Sequence, residues 1–131
     1  MKKTPLLNIA LSQTIAGLGH GEWVVIGDAG LPMSNCRQRI DLAVTRGVPS
    51  VEQVLRVTLS EMHVERVVLA AETQEHSPAL VALVRELLPN VSFEWIDHEE
   101  FKRRSDGARA VVRTGEFTPY ANILLVAGVV F

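Results

Sequence analysis

Residues 66–96 read RVVLAAETQEHSPALVALVRELLPNVSFEWI, and this stretch decides the fold class. Its first part, residues 66–71, is a short apolar run typical of a buried strand. Residues 77–88 open with a serine and a proline, which favour the first positions of a helix, and Pro-Asn follows the last leucine. Residues 91–96 predict the next strand. A strand, a helix and a second strand in this order indicate a βαβ unit with parallel strands.

The same alternation continues outward from this unit in both directions. We predict helices over residues 8–18, 50–62 and 97–104, strands over 23–26, 40–44, 110–113 and 122–130, and an irregular loop over 27–39. Capping-box patterns, Ser50 with Gln53 and Asp97 with Glu100, support two of the helix starts. The sequence therefore predicts one α/β domain over residues 1–131, with a central mixed or parallel sheet and flanking helices.

The composition excludes several classes of protein. The formal net charge is −2, so no basic excess is available to neutralise phosphates and we expect no nucleic-acid partner. The apolar C-terminal run, residues 123–131, is far too short for a membrane helix, and polar residues interrupt the N-terminal segment, so we expect neither membrane insertion nor a signal peptide. A single cysteine, Cys36, cannot form an internal disulfide, which favours the cytoplasm.

The apolar content indicates self-association. Hydrophobic residues make up 47% of the chain, which is high for so short a protein. Small domains have much surface for their volume, so part of this apolar surface is expected to be buried against other subunits. We therefore expect a homo-oligomer larger than a dimer.

Polar residues follow the predicted strands at the points where these strands end. Asp28, Glu72, the pair Asp97-His98 and the segment 114–120 each come directly after one of them. In open α/β sheets, ligands bind beyond the carboxyl ends of the strands. We therefore expect these side chains to converge on one edge of the sheet.

Metal and nucleotide sites are not indicated. The four histidines show no paired helical spacing and no cysteine–histidine ligand pattern. Residues 17–21 read GLGHG, which is not a G-x-G-x-x-G and precedes a strand rather than following one. Cys36 has no paired base in its neighbourhood. We expect no metal and no cofactor.

Local sequence leaves three polar residues with two readings each. His20 lies between two glycines and is either an exposed turn residue or a general acid or base, since histidine titrates near neutral pH. His98 is either an ordinary first-turn helix residue or a functional one. Asp28 either caps its own loop or contacts a ligand.

Several motifs, taken together and in order, resemble the ribose pyranase family. They are Gly17-Leu18-Gly19-His20, Asp28-Ala29-Gly30-Leu31-Pro32, Arg39-Ile40-Asp41-Leu42, His98-Glu99-Glu100-Phe101-Lys102 and residues 113–122 (RTGEFTPYAN), with the ends Met1-Lys2-Lys3 and Ala127-Gly128-Val129-Val130-Phe131. The resemblance covers essentially the whole chain.

The resemblance implies a cofactor-free isomerase of ribose catabolism that interconverts the pyranose and furanose forms of D-ribose. It implies that His20 is the catalytic proton donor. It also implies a ring-shaped homo-oligomer, usually a decamer, with sugar sites near subunit contacts. The implied sugar-binding residues are Asp28, His98, Tyr120, Ala121 and Asn122.

Two other functions remain open from the sequence. A sister branch consists of fucose mutarotases, which interconvert anomers and tend to read DAHFP and YGN where this chain has DAGLP at 28–32 and YAN at 120–122. Gly21-Glu22 is closer to that fucose branch. Asp97 stands where ribose members often have serine, and both residues can cap a helix. The non-enzymatic alternative is a sugar-binding accessory of a ribose transporter.

The last predicted strand leaves the roles of Tyr120 and Asn122 open. If the strand begins at residue 120, these two side chains lie on one face, which would be the face that meets the sugar. Alternatively, Tyr120 packs in the core and Asn122 merely starts the strand. The rigid ring of Pro119 fixes the approach of the chain in either case.

Overall fold

The computed structural model describes all residues, 1–131, and contains five helices and six strands. In chain order the elements are α1 (Ile9–Ala16), β1 (Trp23–Gly27), β2 (Arg39–Asp41), α2 (Val51–Leu59), β3 (Val64–Ala70), α3 (Thr73–His76), α4 (Pro78–Leu87), β4 (Ser92–Ile96), α5 (His98–Asp106), β5 (Ala110–Arg113) and β6 (Ile123–Ala127). The α/β class, with one central mixed sheet and flanking helices in a single domain, is confirmed.

The strands form one mixed sheet in the order β2-β5-β1-β6-β3-β4. β6 pairs antiparallel with both β1 and β3, while the β1–β5, β2–β5 and β3–β4 pairs are parallel. Five strands therefore point one way, and β6 alone points the other way. The name carboxyl edge is used for the end of the sheet at which strands β1 to β5 finish and β6 begins. The opposite end of the sheet is called the amino edge.

Helices cover both faces of this sheet. Val24 and Ile26 of β1 point to the face packed by α1, α2 and α4, whereas Val25 points to the face packed by Phe101 of α5. Alternate residues of a strand face opposite sides, so a strand buried on both faces reads as a continuous apolar run. This explains why β1 and β6 are apolar along their whole lengths.

The predicted helix starts are largely confirmed. Ser50 and Gln53 form the complete capping box expected for α2. Asp97 caps α5 by accepting from the Glu100 N–H at 2.9 Å, but the reciprocal half of the box is missing because the Glu100 carboxylate binds Arg104. Ser77 precedes Pro78 at the start of α4 as expected, but its side chain makes no capping hydrogen bond.

Some predicted boundaries were wrong. β6 ends at Ala127 instead of Val130, since its ladder partners are Trp23–Ile26 of β1 and Val64–Val68 of β3, and beyond Ala127 only the Gly128 N–H bonds back to this region, at the His63 carbonyl. β2 has only three residues, and α2 ends at Leu59. The four-residue helix α3, Thr73–His76, was not predicted. None of the helices has the length and apolar character needed to cross a membrane.

The expectation that Tyr120 and Asn122 share one strand face does not apply. β6 begins only at Ile123, and Tyr120 has a φ of 59°, in the left-handed region. Strand alternation requires extended backbone, so the directions of these two side chains are set by a turn instead.

Candidate active site

Polar side chains from four segments converge on the carboxyl edge. This convergence was predicted from the polar residues that directly follow the predicted strands. Asp28 follows β1, Glu72 follows β3, His98 follows β4, and Tyr120 and Asn122 precede β6. The antiparallel direction of β6 places its amino end beside the carboxyl ends of the other strands. This edge is therefore the candidate site.

Asp28 and Asn122 form a fixed pair. The Asn122 Oδ1 accepts from the Asp28 N–H at 2.8 Å, and its Nδ2 donates to Oδ2 of Asp28 at 3.0 Å. Oδ1 of Asp28 also accepts from the Gly30 N–H at 2.9 Å. Each carboxylate oxygen thus has one fixed partner and retains capacity for a second donor. The local signal for this pair was weak, because the two residues are far apart in sequence.

Gly27 permits this pair to form. A Cβ at this position would lie 2.9 Å from Oδ1 of Asn122 and 2.5 Å from a methyl carbon of Leu31. The absence of a side chain therefore lets the Asn122 amide lie directly against the end of β1. Asn122 itself is only 1% exposed, so it acts on Asp28 more than on solvent.

Tyr120 is the centre of an aromatic group. His98 lies edge-on to its ring at a centroid distance of 4.8 Å, and His76 is stacked on it, also at 4.8 Å. The hydroxyl of Thr73 donates to the Tyr120 carbonyl at 2.9 Å. A non-glycine residue held at positive φ is strained, and such strain is often found at functional sites. Sequence reasoning missed His76, whose only signal is its place shortly after β3.

Two polar atoms beside Tyr120 are buried without a partner. Oε1 of Glu72 accepts from the His98 N–H at 3.3 Å, but Oε2 of Glu72 and Nδ1 of His98 have no hydrogen bond. An unsatisfied buried polar atom costs about 1–3 kcal/mol. Each of these two atoms could bond to a ligand hydroxyl, since a hydroxyl donates to a carboxylate oxygen and either donates to or accepts from an imidazole nitrogen.

Ala121 is almost completely buried. The residue is 2% exposed, and its side chain belongs to the core cluster on the α1, α2 and α4 face. Its N–H is bonded to the Thr118 carbonyl.

The loop between β5 and β6 is held by Glu116. Burial opposes ionisation of this carboxyl, but hydrogen bonds from the Thr118 hydroxyl and from the N–H groups of Thr118, Val51 and Phe117 outweigh it and keep the Glu116 pKa below its ordinary value. A cavity of about 370 Å³ lies between this loop and Asp28. Its size falls in the range of small-molecule sites, about 300–1,000 Å³.

His20 lies at the amino edge, away from every other candidate residue. It precedes β1, whereas Asp28 follows it, and five strand residues at about 3.3 Å each put about 16 Å between the two edges. Its Nε2 is 2.8 Å from Oε2 of Glu65, and its side chain is 61% exposed. A single chain therefore brings together Asp28, His98, Tyr120, Ala121 and Asn122. His20 lies apart from them, and Asp28 does not contact it within the same chain.

Apolar residues lie beside His20, and those near the C-terminus are exposed. It lines a cavity with Ile15, Leu18 and the C-terminal residues 129–131. Val130 and Phe131 are 84% and 101% exposed. Large apolar side chains grouped at a surface indicate a contact with another molecule.

Metal-binding geometry is not found at either edge. No group of three or more histidine, cysteine, aspartate or glutamate side chains is arranged to hold a metal ion.

Comparison with known proteins agrees with the fold and with the family resemblance. A family model described as the RbsD / FucU transport protein family matches residues 1–130. D-ribose pyranases of Chloroflexus aggregans and Pseudomonas putida KT2440 are 56% and 58% identical to this chain, with each alignment covering 100% of both proteins.

Solved structures show the same architecture. Bacillus subtilis RbsD complexed with D-ribose superposes with a TM-score of 0.95 at 43% identity and covers 100% of both chains. The fucose mutarotase of Streptococcus pneumoniae in complex with L-fucose gives 0.85 at 25% identity, again over 100% of both. This chain belongs to the RbsD / FucU family.

Proposed function

We propose that this protein is a D-ribose pyranase, an isomerase that interconverts the pyranose and furanose forms of D-ribose. One observation carries the proposal: full-length relatives at 56–58% identity bear that name. The similarity to the ribose-bound structure, 43%, also exceeds that to the fucose-bound one, 25%, so a fucose-type mutarotase is less favoured.

The sugar is proposed to bind at the carboxyl edge. Asp28, His98 and Tyr120 supply side chains there, Ala121 supplies its backbone, and Asn122 supports Asp28 and adds its remaining hydrogen-bonding capacity. The free capacity of the Asp28 carboxylate and the unpartnered atoms of Glu72 and His98 support a ligand with many hydroxyls. Ribose is such a ligand.

The active site is proposed to form between two copies of the chain, since His20 and the sugar-binding residues lie at opposite edges. A contact between the amino edge of one copy and the carboxyl edge of the next would bring them together. Exposed apolar side chains support such a contact at both edges, with Val130 and Phe131 at one and Phe117 at the other. Head-to-tail contacts of this kind form a ring when the rotation between successive copies closes, which is compatible with the ring-shaped decamer that the resemblance implies.

The chemistry requires two proton transfers in each direction. On opening, His20 protonates the ring oxygen while the bond from this oxygen to C1 breaks, and a carboxylate takes the anomeric hydroxyl proton. The site offers Asp28 and Glu72 for that second role. On reclosure, a different hydroxyl attacks C1 and returns its proton to His20, and the carboxylate reprotonates the former carbonyl oxygen. Each positioned group contributes about 10²–10⁴-fold.

The setting of this activity is proposed to be ribose catabolism in the cytoplasm. The single cysteine, Cys36, is free and half-buried, which fits a reducing compartment.

Exchange NMR on ribose and fucose tests the reaction. We expect the protein to accelerate pyranose–furanose exchange of D-ribose. Acceleration of anomer exchange alone, above all on fucose, would instead identify a mutarotase. Saturable ribose binding without any acceleration would identify a binding protein and overturn the enzymatic proposal.

Mixed oligomers test the shared site. His20→Ala and Asp28→Asn are each expected to be inactive alone. If each site takes His20 from one copy and Asp28 from its neighbour, random equal mixing restores about a quarter of the sites. Mixing Asp28→Asn with His98→Ala is the matched control, because both changes affect the same edge and no site is restored. Absence of recovery in the first mixture, with mixing verified, contradicts the shared site.

A further inference from the structure

We propose that Glu65 is a positioning residue for His20 and that Nδ1 is the His20 nitrogen that exchanges protons with the sugar. This inference rests on the proposed function of His20. It starts from the bond between His20 Nε2 and Glu65 Oε2, which measures 2.8 Å. An ionised carboxylate only accepts hydrogen bonds, so the Nε2 atom must carry the proton in this contact.

A bulge in β3 turns Glu65 toward His20. Val64 pairs with Ala127 and Arg66 with Val126, so Glu65 is an extra residue opposite a single step of β6. The regular alternation of β3 is broken at this point, and both Glu65 and Arg66 are exposed in succession. Bulges re-aim side chains and are over-represented beside active sites. An ordinary surface ion pair would not need such an irregularity.

The neighbouring backbone holds both partners in place. The Gly21 N–H donates to the Ala127 carbonyl at 2.9 Å, and the Gly128 N–H donates to the His63 carbonyl at 3.0 Å. A Cβ at Gly128 would lie 2.9 Å from the Glu65 Cβ. The end of β6 thus ties the His20 turn to β3, and Gly128 leaves room for Glu65 beside it.

The arrangement leaves one nitrogen of His20 for chemistry. With Nε2–H bonded to Glu65, Nδ1 carries no proton when the imidazole ring is neutral. When the ring is protonated, Nδ1 carries the proton that can be transferred. When the ring of the sugar opens, that proton moves from Nδ1 to the ring oxygen, and on reclosure Nδ1 receives the proton of the attacking hydroxyl. Glu65 keeps its contact with Nε2–H throughout and fixes the orientation of the ring.

Glu65→Ala tests this role together with a matched control. We expect kcat for ribose exchange to fall by about 10- to 100-fold, since small misplacements of a catalytic group cost about that much, while KM stays unchanged because the sugar contacts lie at the other edge. Glu65→Gln, whose amide oxygen can still accept from Nε2–H, is expected to retain more kcat than alanine. Arg66→Ala, on the adjacent residue, breaks an exposed pair with Glu94 and is expected to leave kcat unchanged.

The ring nitrogens of His20 provide a readout that a purely structural role would not change. In long-range ¹H–¹⁵N spectra of the neutral imidazole, we expect the wild type to carry its proton on Nε2. In Glu65→Ala, the two nitrogen shifts should move toward each other as the second tautomer becomes populated. A wild-type proton on Nδ1, or a Glu65→Ala variant with unchanged tautomer and kcat, overturns the inference. A wild type that does not accelerate ribose exchange removes the proposed function, while the tautomer shift still tests the contact.

Discussion

Asn122 is a buried side chain that uses both of its polar atoms on Asp28. Its effect on ribose is therefore expected to pass largely through the aspartate, whose carboxylate it holds at the end of β1. This differs from the direct contact with the sugar that the sequence predicts if the last strand begins at residue 120. A substitution of Asn122 should therefore change the stability of the fold as well as the affinity for ribose.

Asn122→Ala is expected to lower both ribose affinity and the free energy of unfolding. It leaves the Asp28 N–H without its side-chain acceptor, and an unpaired polar partner costs about 1–3 kcal/mol, or about 5- to 150-fold in affinity. Titration calorimetry and thermal unfolding measure the two effects. Asn8→Ala is the control, since it removes the α1 cap and should reduce stability without changing affinity. Unchanged ribose affinity in folded Asn122→Ala would show that the sugar binds elsewhere.

Glu72→Gln replaces one of the two carboxylate oxygens with an amide NH₂ group, which donates hydrogen bonds and does not accept them. If a ribose hydroxyl donates to Oε2 of Glu72, the amide presents a donor to a donor, and we expect ribose affinity to fall about tenfold. Glu75→Gln, in the exposed part of α3, is the matched control and should bind ribose normally. Equal affinities for both variants would exclude Glu72 from the sugar site.

At the scale of secondary-structure elements, the reversed direction of β6 creates the site. Because β6 alone runs antiparallel, its first residues meet the ends of β1 and β3 instead of lying at the far edge. The turn at Tyr120 then places an aromatic ring between His76 and His98. The conformation of the loop that leads into this turn is held by hydrogen bonds to the Glu116 carboxylate.

Glu116→Gln is expected to make the thermal stability of the protein depend less on pH in the acid range. The folded-state pKa of Glu116 is lowered from 4.5, so its stabilising effect is complete above that value and is lost as the pH falls through the lowered folded-state pKa. The wild-type unfolding midpoint should therefore exceed that of the variant at pH 7, and the gap should close as the pH drops below 4.5. Thermal unfolding across this range measures the gap. A gap that is independent of pH would contradict the role of the ionised carboxylate.

At the scale of the whole molecule, the two edges of the sheet carry different parts of one proposed site. Assembly is then a condition for catalysis rather than only for stability. The exposed C-terminal residues beside His20 are the surface most directly linked to this condition.

Replacement of Val130 and Phe131 by serine is expected to weaken assembly and activity together. The change removes apolar area at the amino edge, where burial is worth about 25 cal/mol per Å². Sedimentation velocity should show smaller species, and exchange activity should rise with protein concentration as assembly is restored. A variant that stays fully active as a monomer would rule out the shared site.

The sequence by itself determined the class of fold, the order of the strands and of the four longer helices, and the edge at which polar residues gather. These follow from local patterns: apolar runs of strand length, helix caps such as Ser50, and polar residues directly after strands such as Asp28 and Glu72. The family motifs added His20 and the residues 120–122 as candidates. Local patterns suffice here because strand and helix periodicity is encoded within a few neighbouring residues.

Only the tertiary structure decided which candidates meet. The pairing of Asp28 with Asn122, the stacking of His76 on Tyr120 and the bulge that turns Glu65 toward His20 all join residues distant in sequence. The placement of Tyr120 and Asn122 at the edge opposite His20 also depends on the direction of β6, which no local pattern specifies. Pairing direction and register depend on which strands become neighbours in the sheet, and burial across the whole domain selects those neighbours.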